Sequence, residues 1–320
     1  MRIAFVGKGG SGKTTLSALT IEYLKKIGLP ILAVDADINM HLGGLIGFDD
    51  KTKTKLNISD SESIKDIKTY LKGDNDKIKS LVEFRKTTPP NSLSNFVNLS
   101  NKDDYILSNY TLEKDNIYLM NVGTYEKGEI GASCYHNNLA ILENILSHLI
   151  DRDGYVVSDM VAGIDAFAGS LHAQFDRLFL SVEPTRRGVD VYNQYIELAK
   201  VAGVENLLFV VGNKIRNNKD KNFLKSFIPE NKIIGYLYLS EYLSDADQDY
   251  SPLDIDKLED NNMDLFSNIK KMLDFITPDL KSRLEKLYEL HRKYVSQDSI
   301  KDRFGDLTYQ IDDNFDPSSI

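Results

Sequence analysis

Residues 7–14 read G-K-G-G-S-G-K-T and fit G-x-x-x-x-G-K-[ST], the spacing that wraps a backbone around nucleotide phosphates. The glycines let successive N–H groups turn inward, and a helix beginning there adds a field that favours anions. Lys13 supplies a point charge for the β- and γ-phosphates, and the Thr14 hydroxyl is placed to bind Mg²⁺. Gly9, Gly10, Ser11, Gly12 and Thr15 complete the cradle, and Lys8 is a second lysine that the generic pattern does not require.

Three further groups of residues could do chemistry. V-D-A-D-I-N, residues 34–39, sets Asp35 and Asp37 at a strand end. A carboxylate there holds Mg²⁺ through water or orients the water that attacks a γ-phosphate. The plain alternative is a pair of acidic loop residues. Y-V-V-S-D-M-V-A-G, residues 155–163, is an apolar strand ending in Asp159, the Walker B pattern of a Mg²⁺-holding aspartate. Gly163 follows where a backbone N–H could meet the γ-phosphate and move when it leaves. Cys134 and His136 stand directly before a leucine-rich stretch. Thiolate and imidazole suit Zn²⁺, Ni²⁺ or Cu⁺, and a helix N-terminus lowers a thiol pKa. One chain supplies half of a tetrahedral site, and two chains about a twofold axis would supply all of it. The alternative is a small buried hydrophobe and a helix cap.

The elements that must position these residues follow a βα alternation. Short, continuous apolar runs at 3–6, 31–34, 117–122, 155–157, 178–182, 207–211 and 233–237 read as strands covered on both faces. Helical patterns at 13–27, 138–150, 188–201 and 220–227 fall between them. The expectation is an α/β fold with a mainly parallel twisted sheet flanked by helices, and a ligand beyond the carboxyl ends of the strands. A P-loop domain is expected over 1–250. Residues 49–115 form a polar insert, either a helical lid, a partner-binding element or a solvated loop. A helical extension at 251–295, broken near Pro278, precedes a loosely held acidic tail at 296–320. The stripe Leu280, Leu284, Leu287 and Leu290 suits packing on the chain's own domain or on a partner.

Composition sets limits. A hydrophobic content of 42% in 320 residues can fill a core, and a net charge of −9 argues against broad binding to nucleic acid or anionic membranes. With Cys134 as the one cysteine, no intramolecular disulfide forms, which suits a reducing cytosol. No signal peptide and no run of the ~20 apolar residues that span a bilayer is seen, so a cytoplasmic protein without membrane insertion is expected.

Taken together, the motifs resemble the deviant Walker A branch of P-loop ATPases, which includes MinD and ParA, the arsenite pump ATPase and the nitrogenase iron protein. The resemblance covers about 1–48 and 117–240. It implies a homodimer closed on ATP, with Lys8 reaching the partner's nucleotide, Asp37 orienting water and Asp159 serving Mg²⁺. It further implies that Asn213, in V-V-G-N-K, reads the adenine edge and that Glu183 and Pro184 belong to the base-side loop. Within the branch, the Cys134 segment, D-M-x-A-G-I from Asp159 and V-E-P-T-R-R from Val182 are similar to the carbon monoxide dehydrogenase accessory ATPases, the CooC group. There a C-x-C pair precedes the leucine-rich helix; here His136 replaces the second cysteine. That likeness implies nickel insertion into a client metalloenzyme. The alternative is a partner-recruiting or positioning switch without metal chemistry. An iron-sulfur electron carrier needs two cysteines per chain and is set aside. A small-molecule ligase with a carboxylate substrate near Lys8 stays open.

Overall fold

The computed structural model describes residues 1–49, 57–123, 138–163, 167 and 170–319. Among these residues ten strands run in chain order: β1 (Arg2–Val6), β2 (Ile31–Ala36), β3 (Val97–Asn98), β4 (Leu112–Lys114), β5 (Ile117–Asn121), β6 (Leu149–Ile150), β7 (Tyr155–Met160), β8 (Arg177–Val182), β9 (Leu208–Ile215) and β10 (Ile233–Tyr238). Eight of them form one sheet in the order β10-β9-β8-β1-β7-β2-β5-β4. All neighbours are parallel except β4, which closes one edge antiparallel to β5. The seven expected strands are all present. The short β4 and the β3–β6 pair have too few residues to leave a pattern.

Alternation along β1 shows how the sheet is held. Ala4 and Val6 enter one hydrophobic cluster, Ile3 and Phe5 the other, and all four are buried. Helix Lys13–Lys25 packs on the second face through Leu16, Leu19 and Leu24, each worth roughly 1.5–3 kcal/mol of burial. Helix Asp260–Asp274 covers the same face through Leu265, Phe266, Ile269 and Leu273. Helix Leu139–Ser147 covers the first face.

The insert and the tail depart from expectation. Ile58, Ile67, Leu71, Ile78 and Phe84 join the first hydrophobic cluster, so the described part of the insert is core rather than solvated loop. Helix Leu280–Val295 turns Leu284 and Leu287 inward onto its own chain. Residues after 295 are tied to the insert instead of hanging free. The Thr88 hydroxyl donates to Gln310 Oε1 at 2.9 Å, and the Tyr309 hydroxyl donates to Glu83 Oε2 at 2.8 Å. His291 pairs with the Thr87 hydroxyl at 3.0 Å and the Leu307 carbonyl at 3.1 Å. Leu307 and Gln310 are fully buried. Among the described residues no helix is long and apolar enough to cross a membrane.

Candidate functional site

Register brings the chemistry to one edge. Phe5 and Asp35 both pair with Asp159, and Val6 pairs with Leu180, so the ends of β1, β2, β7 and β8 share a level. The phosphate loop leaves β1 at that level. Gly10 and Gly12 take left-handed backbone at φ +74° and +85°. Gly12 is required twice over, because a Cβ there would lie 2.3 Å from Asn213 Nδ2. Ser11 N–H donates to the Lys8 carbonyl at 3.2 Å and closes the turn.

The loop's lysines have opposite fates. Lys13 is buried and donates to the Lys8 carbonyl at 3.3 Å from inside the loop. Burial lowers its pKa, against the attraction of Asp159 and Asp37. Lys8 is exposed. Among the described residues no hydrogen bond or ion pair engages its ammonium.

The carboxylates divide the work. Asp35 is fully buried and spends its oxygens on the loop that follows: Oδ2 accepts Leu42 N–H at 2.9 Å and Oδ1 accepts Asp37 N–H at 3.2 Å. Burial, then repulsion from Asp159, raises its pKa well above the usual carboxylate value. Asp37 is half-buried and accepts Asn39 N–H at 3.0 Å. Asp159 is fully buried, faces Ser17 Oγ at 3.4 Å, and among the described residues keeps Oδ2 without a hydrogen-bond partner. Burial pushes its pKa up to about 7, with the Thr14 hydroxyl and Lys13 pulling the other way. A buried carboxylate oxygen left unsatisfied beside a hydroxyl is a hard oxygen donor set, which fits Mg²⁺ and does not suit a soft metal.

The β8 and β9 ends hold the loop from outside. Ser181 Oγ and Asn213 Nδ2 both donate to the Ser11 carbonyl at 2.6 Å. Lys214 Nζ donates to the Gly10 carbonyl at 2.8 Å and pairs with Glu183 at 2.6 Å. Glu183 and Pro184 lead into helix Arg186–Val201, whose cap Thr185 accepts Gly188 N–H at 3.0 Å. Gly163 differs from expectation: its N–H donates to the Gly7 carbonyl at 3.1 Å and its carbonyl accepts the Tyr195 hydroxyl, so in this arrangement it faces the loop backbone. Gly9 lies beside Ala162, while Thr15 is half-buried at the start of its helix. Cys134 and His136 lie outside the described residues. His148 sits between the Phe84 and Phe96 rings as a packed core group. Sequence reasoning missed Ser17, Ser181 and Lys214. Lys214 adjoins Asn213, but only the meeting of strand ends reveals what it holds.

Comparison with known proteins follows the same lines. The family model of the CobQ/CobB/MinD/ParA nucleotide binding domain matches residues 3–253. The chain is 28% identical over 260 residues to an uncharacterized ATP-binding protein of Methanocaldococcus jannaschii, across 80% of this chain and 92% of that one. It is 26% identical over 250 residues to the carbon monoxide dehydrogenase accessory protein CooC of Rhodospirillum rubrum, across 78% and 87%. Among solved structures, the septum site-determining protein MinD of Pyrococcus horikoshii, complexed with Mg-ADP, matches with a TM-score of 0.54 at 15% identity, across 87% and 98%. That last likeness is one of fold.

Proposed function

The chain belongs to the CobQ/CobB/MinD/ParA family of nucleotide-binding proteins, and from that premise we propose a Mg²⁺-dependent ATPase that closes as a homodimer on ATP. We further propose that closure serves the loading of a transition metal, Ni²⁺ or Zn²⁺, into a client metalloenzyme. The single observation that carries the dimer is the contrast between the lysines of one loop. Lys13 is buried inside the cradle, while Lys8 projects exposed from it. A cation in a phosphate-binding loop that serves no group of its own chain, among those described, is available to a nucleotide in a second chain.

In this reading Lys13 steadies the β- and γ-phosphates, Asp37 orients the attacking water, and Thr14 and Asp159 hold Mg²⁺, which supplies charge neutralisation on the phosphates. The metal-loading part rests on the C-x-H spacing of Cys134 and His136 and on the likeness to the CooC protein. The competing reading is an ATP-switched protein that recruits partners and handles no transition metal.

Metal analysis of the purified protein with and without Mg-ATP tests the choice. Loading predicts about one transition metal per two chains in the ATP-closed state, lost in Cys134→Ser. Metal content that ignores both ATP and Cys134 would assign the protein to the partner-recruiting switches.

A further inference from the structure

We infer that Asn213 and Lys214 are positioning residues that hold the phosphate loop in its binding shape, so that a polyphosphate is gripped independently of the base. The inference rests on the nucleotide-binding part of the proposal above and on neither the dimer nor the transition metal. The resemblance read from the sequence gives Asn213 to the adenine edge. Its geometry gives it another task.

Peptide planarity sets the constraint. In a trans peptide the C=O and the next N–H point in opposite directions. A loop that binds anions needs its N–H groups inward, so its carbonyls must be held outward against their own attraction to any nearby cation. Two consecutive carbonyls of this loop are held in that way. The Ser11 carbonyl accepts from Asn213 Nδ2 and from Ser181 Oγ, both at 2.6 Å. The Gly10 carbonyl accepts from Lys214 Nζ at 2.8 Å. The first of these contacts turns the N–H of Gly12 to the opposite side, and the second orients the N–H of Ser11, which donates to the Lys8 carbonyl at 3.2 Å and closes the turn.

The backbone of β9 supports this reading. Lys214 sits at φ +56°, a left-handed conformation uncommon for a residue other than glycine. It is sustained by Asn213, whose Oδ1 accepts the Lys214 N–H at 2.7 Å. Asn213 thus uses one end of its amide to bend its own strand and the other to hold the loop. The bend aims Lys214 back at Gly10. Backbone strain of this kind is found where the surrounding structure needs a particular side-chain direction. The pairing of Lys214 with Glu183 at 2.6 Å does not account for it, because exposed ion pairs contribute little and an unstrained lysine could form one. Gly12 completes the fit, since any side chain there would collide with Asn213 Nδ2.

A base reader and a loop positioner differ in what they do to a ligand with no base. The test measures binding of Mg-ATP and of Mg-tripolyphosphate by calorimetry to wild type, Asn213→Ala, Lys214→Met and Lys214→Arg, with thermal unfolding of each. Positioning predicts that Lys214→Met and Asn213→Ala weaken both ligands by the same factor, about tenfold (about 1.4 kcal/mol). Lys214→Arg, which keeps a cationic donor, should retain most of the affinity. If the buried Asn213→Ala does not fold, the exposed Lys214 series decides alone. A loss confined to Mg-ATP overturns the inference in favour of base reading, as does full affinity for both ligands in Lys214→Met. Wild type that binds Mg-ATP but no tripolyphosphate overturns it as well, because a held cradle must grip the phosphates by themselves. Wild type that binds neither ligand overturns the nucleotide reading beneath it.

Discussion

The two ends of the parallel sheet treat buried charge in opposite ways. At the carboxyl end, Asp35 and Asp159 pair in register on neighbouring strands, both fully buried. Asp159 keeps an oxygen without a partner among the described residues. At the amino end, Asp151 is wrapped by cations: Arg2 donates to Oδ1 at 3.0 Å and Arg283 at 2.8 Å. Arg283 also pairs with Asp176 at 2.6 Å, so helix Leu280–Val295 is fastened across the bottom of β1 and β8. Burial alone would raise the Asp151 pKa, but Arg2 and Arg283 outweigh it and hold the group well below the usual carboxylate range. At Asp159 burial prevails and the pKa rises to about 7. The same residue type, equally buried, is completed by the fold at one end and left incomplete at the other. The incomplete end lies at the phosphate loop, as expected where a divalent cation is to supply the missing charge.

The largest expected effect comes from breaking the completed end. Asp151→Ala leaves Arg2 buried without its carboxylate and should lower stability by about 3–5 kcal/mol in denaturant unfolding. A loss below about 1 kcal/mol would show that the network is incidental. The opposite sign is expected at the other end. Asp159→Asn removes the crowded charge and should stabilise the ligand-free protein at pH 8 by on the order of 1–3 kcal/mol while abolishing Mg²⁺-dependent turnover. A destabilised variant would mean that Asp159 is already satisfied in the ligand-free chain.

The smallest effect is a pH dependence, and its sign differs between the ends. Asp159 has a raised folded pKa, so the folded chain holds a proton that the unfolded chain has released. Its stabilising contribution is present below the ordinary carboxylate range and is lost as pH rises toward about 7. Asp151 has a depressed folded pKa, so its contribution is present above the ordinary carboxylate value and is lost as pH falls below it. Melting temperature without Mg²⁺ should therefore peak in mild acid and fall toward neutrality. The neutral limb should become shallower in Asp159→Asn or on adding Mg²⁺, leaving the share of the buried Asp35 and Glu143, whose pKa values burial also raises. A neutral limb identical in the variant would remove Asp159 as its source.

Much of the functional end could be read from the sequence because it is locally encoded. The loop, the strand and the helix lie within residues 1–25, and Asp35 and Asp159 each end an apolar run. The amino end could not be read that way. Arg2 on β1, Asp151 and Asp176 in two loops and Arg283 on a helix are brought together from four separate stretches, and each in isolation resembles an ordinary surface charge. The tail differs from its expected loose state for a related reason. Leu307, Ile311 and Phe315 recur every fourth position, yet the acidic segment around them forms only a short turn at Thr308–Gln310, and contacts distant in sequence order it: Ile311 packs with Leu284 and Tyr288, Lys77 donates to the Ile311 carbonyl at 2.8 Å, and Phe96 stacks on Phe315. Helix Ser61–Lys72 was within reach, since Asp60 caps it by accepting Ser63 N–H at 2.8 Å, but its polar composition concealed how fully Ile67 and Leu71 are buried.

In the function proposed above, an incomplete site is finished by Mg²⁺ from solution and by Lys8 from a second chain. Mixing Lys8→Ala with Asp37→Ala protein and measuring ATP turnover tests it most directly. Each variant alone should be inactive. In an equal mixture about half of the dimers join unlike chains, each with one complete site, so about a quarter of wild-type turnover should return. A mixture no faster than the sum of its separate components would contradict the claim and confine Lys8 to its own chain.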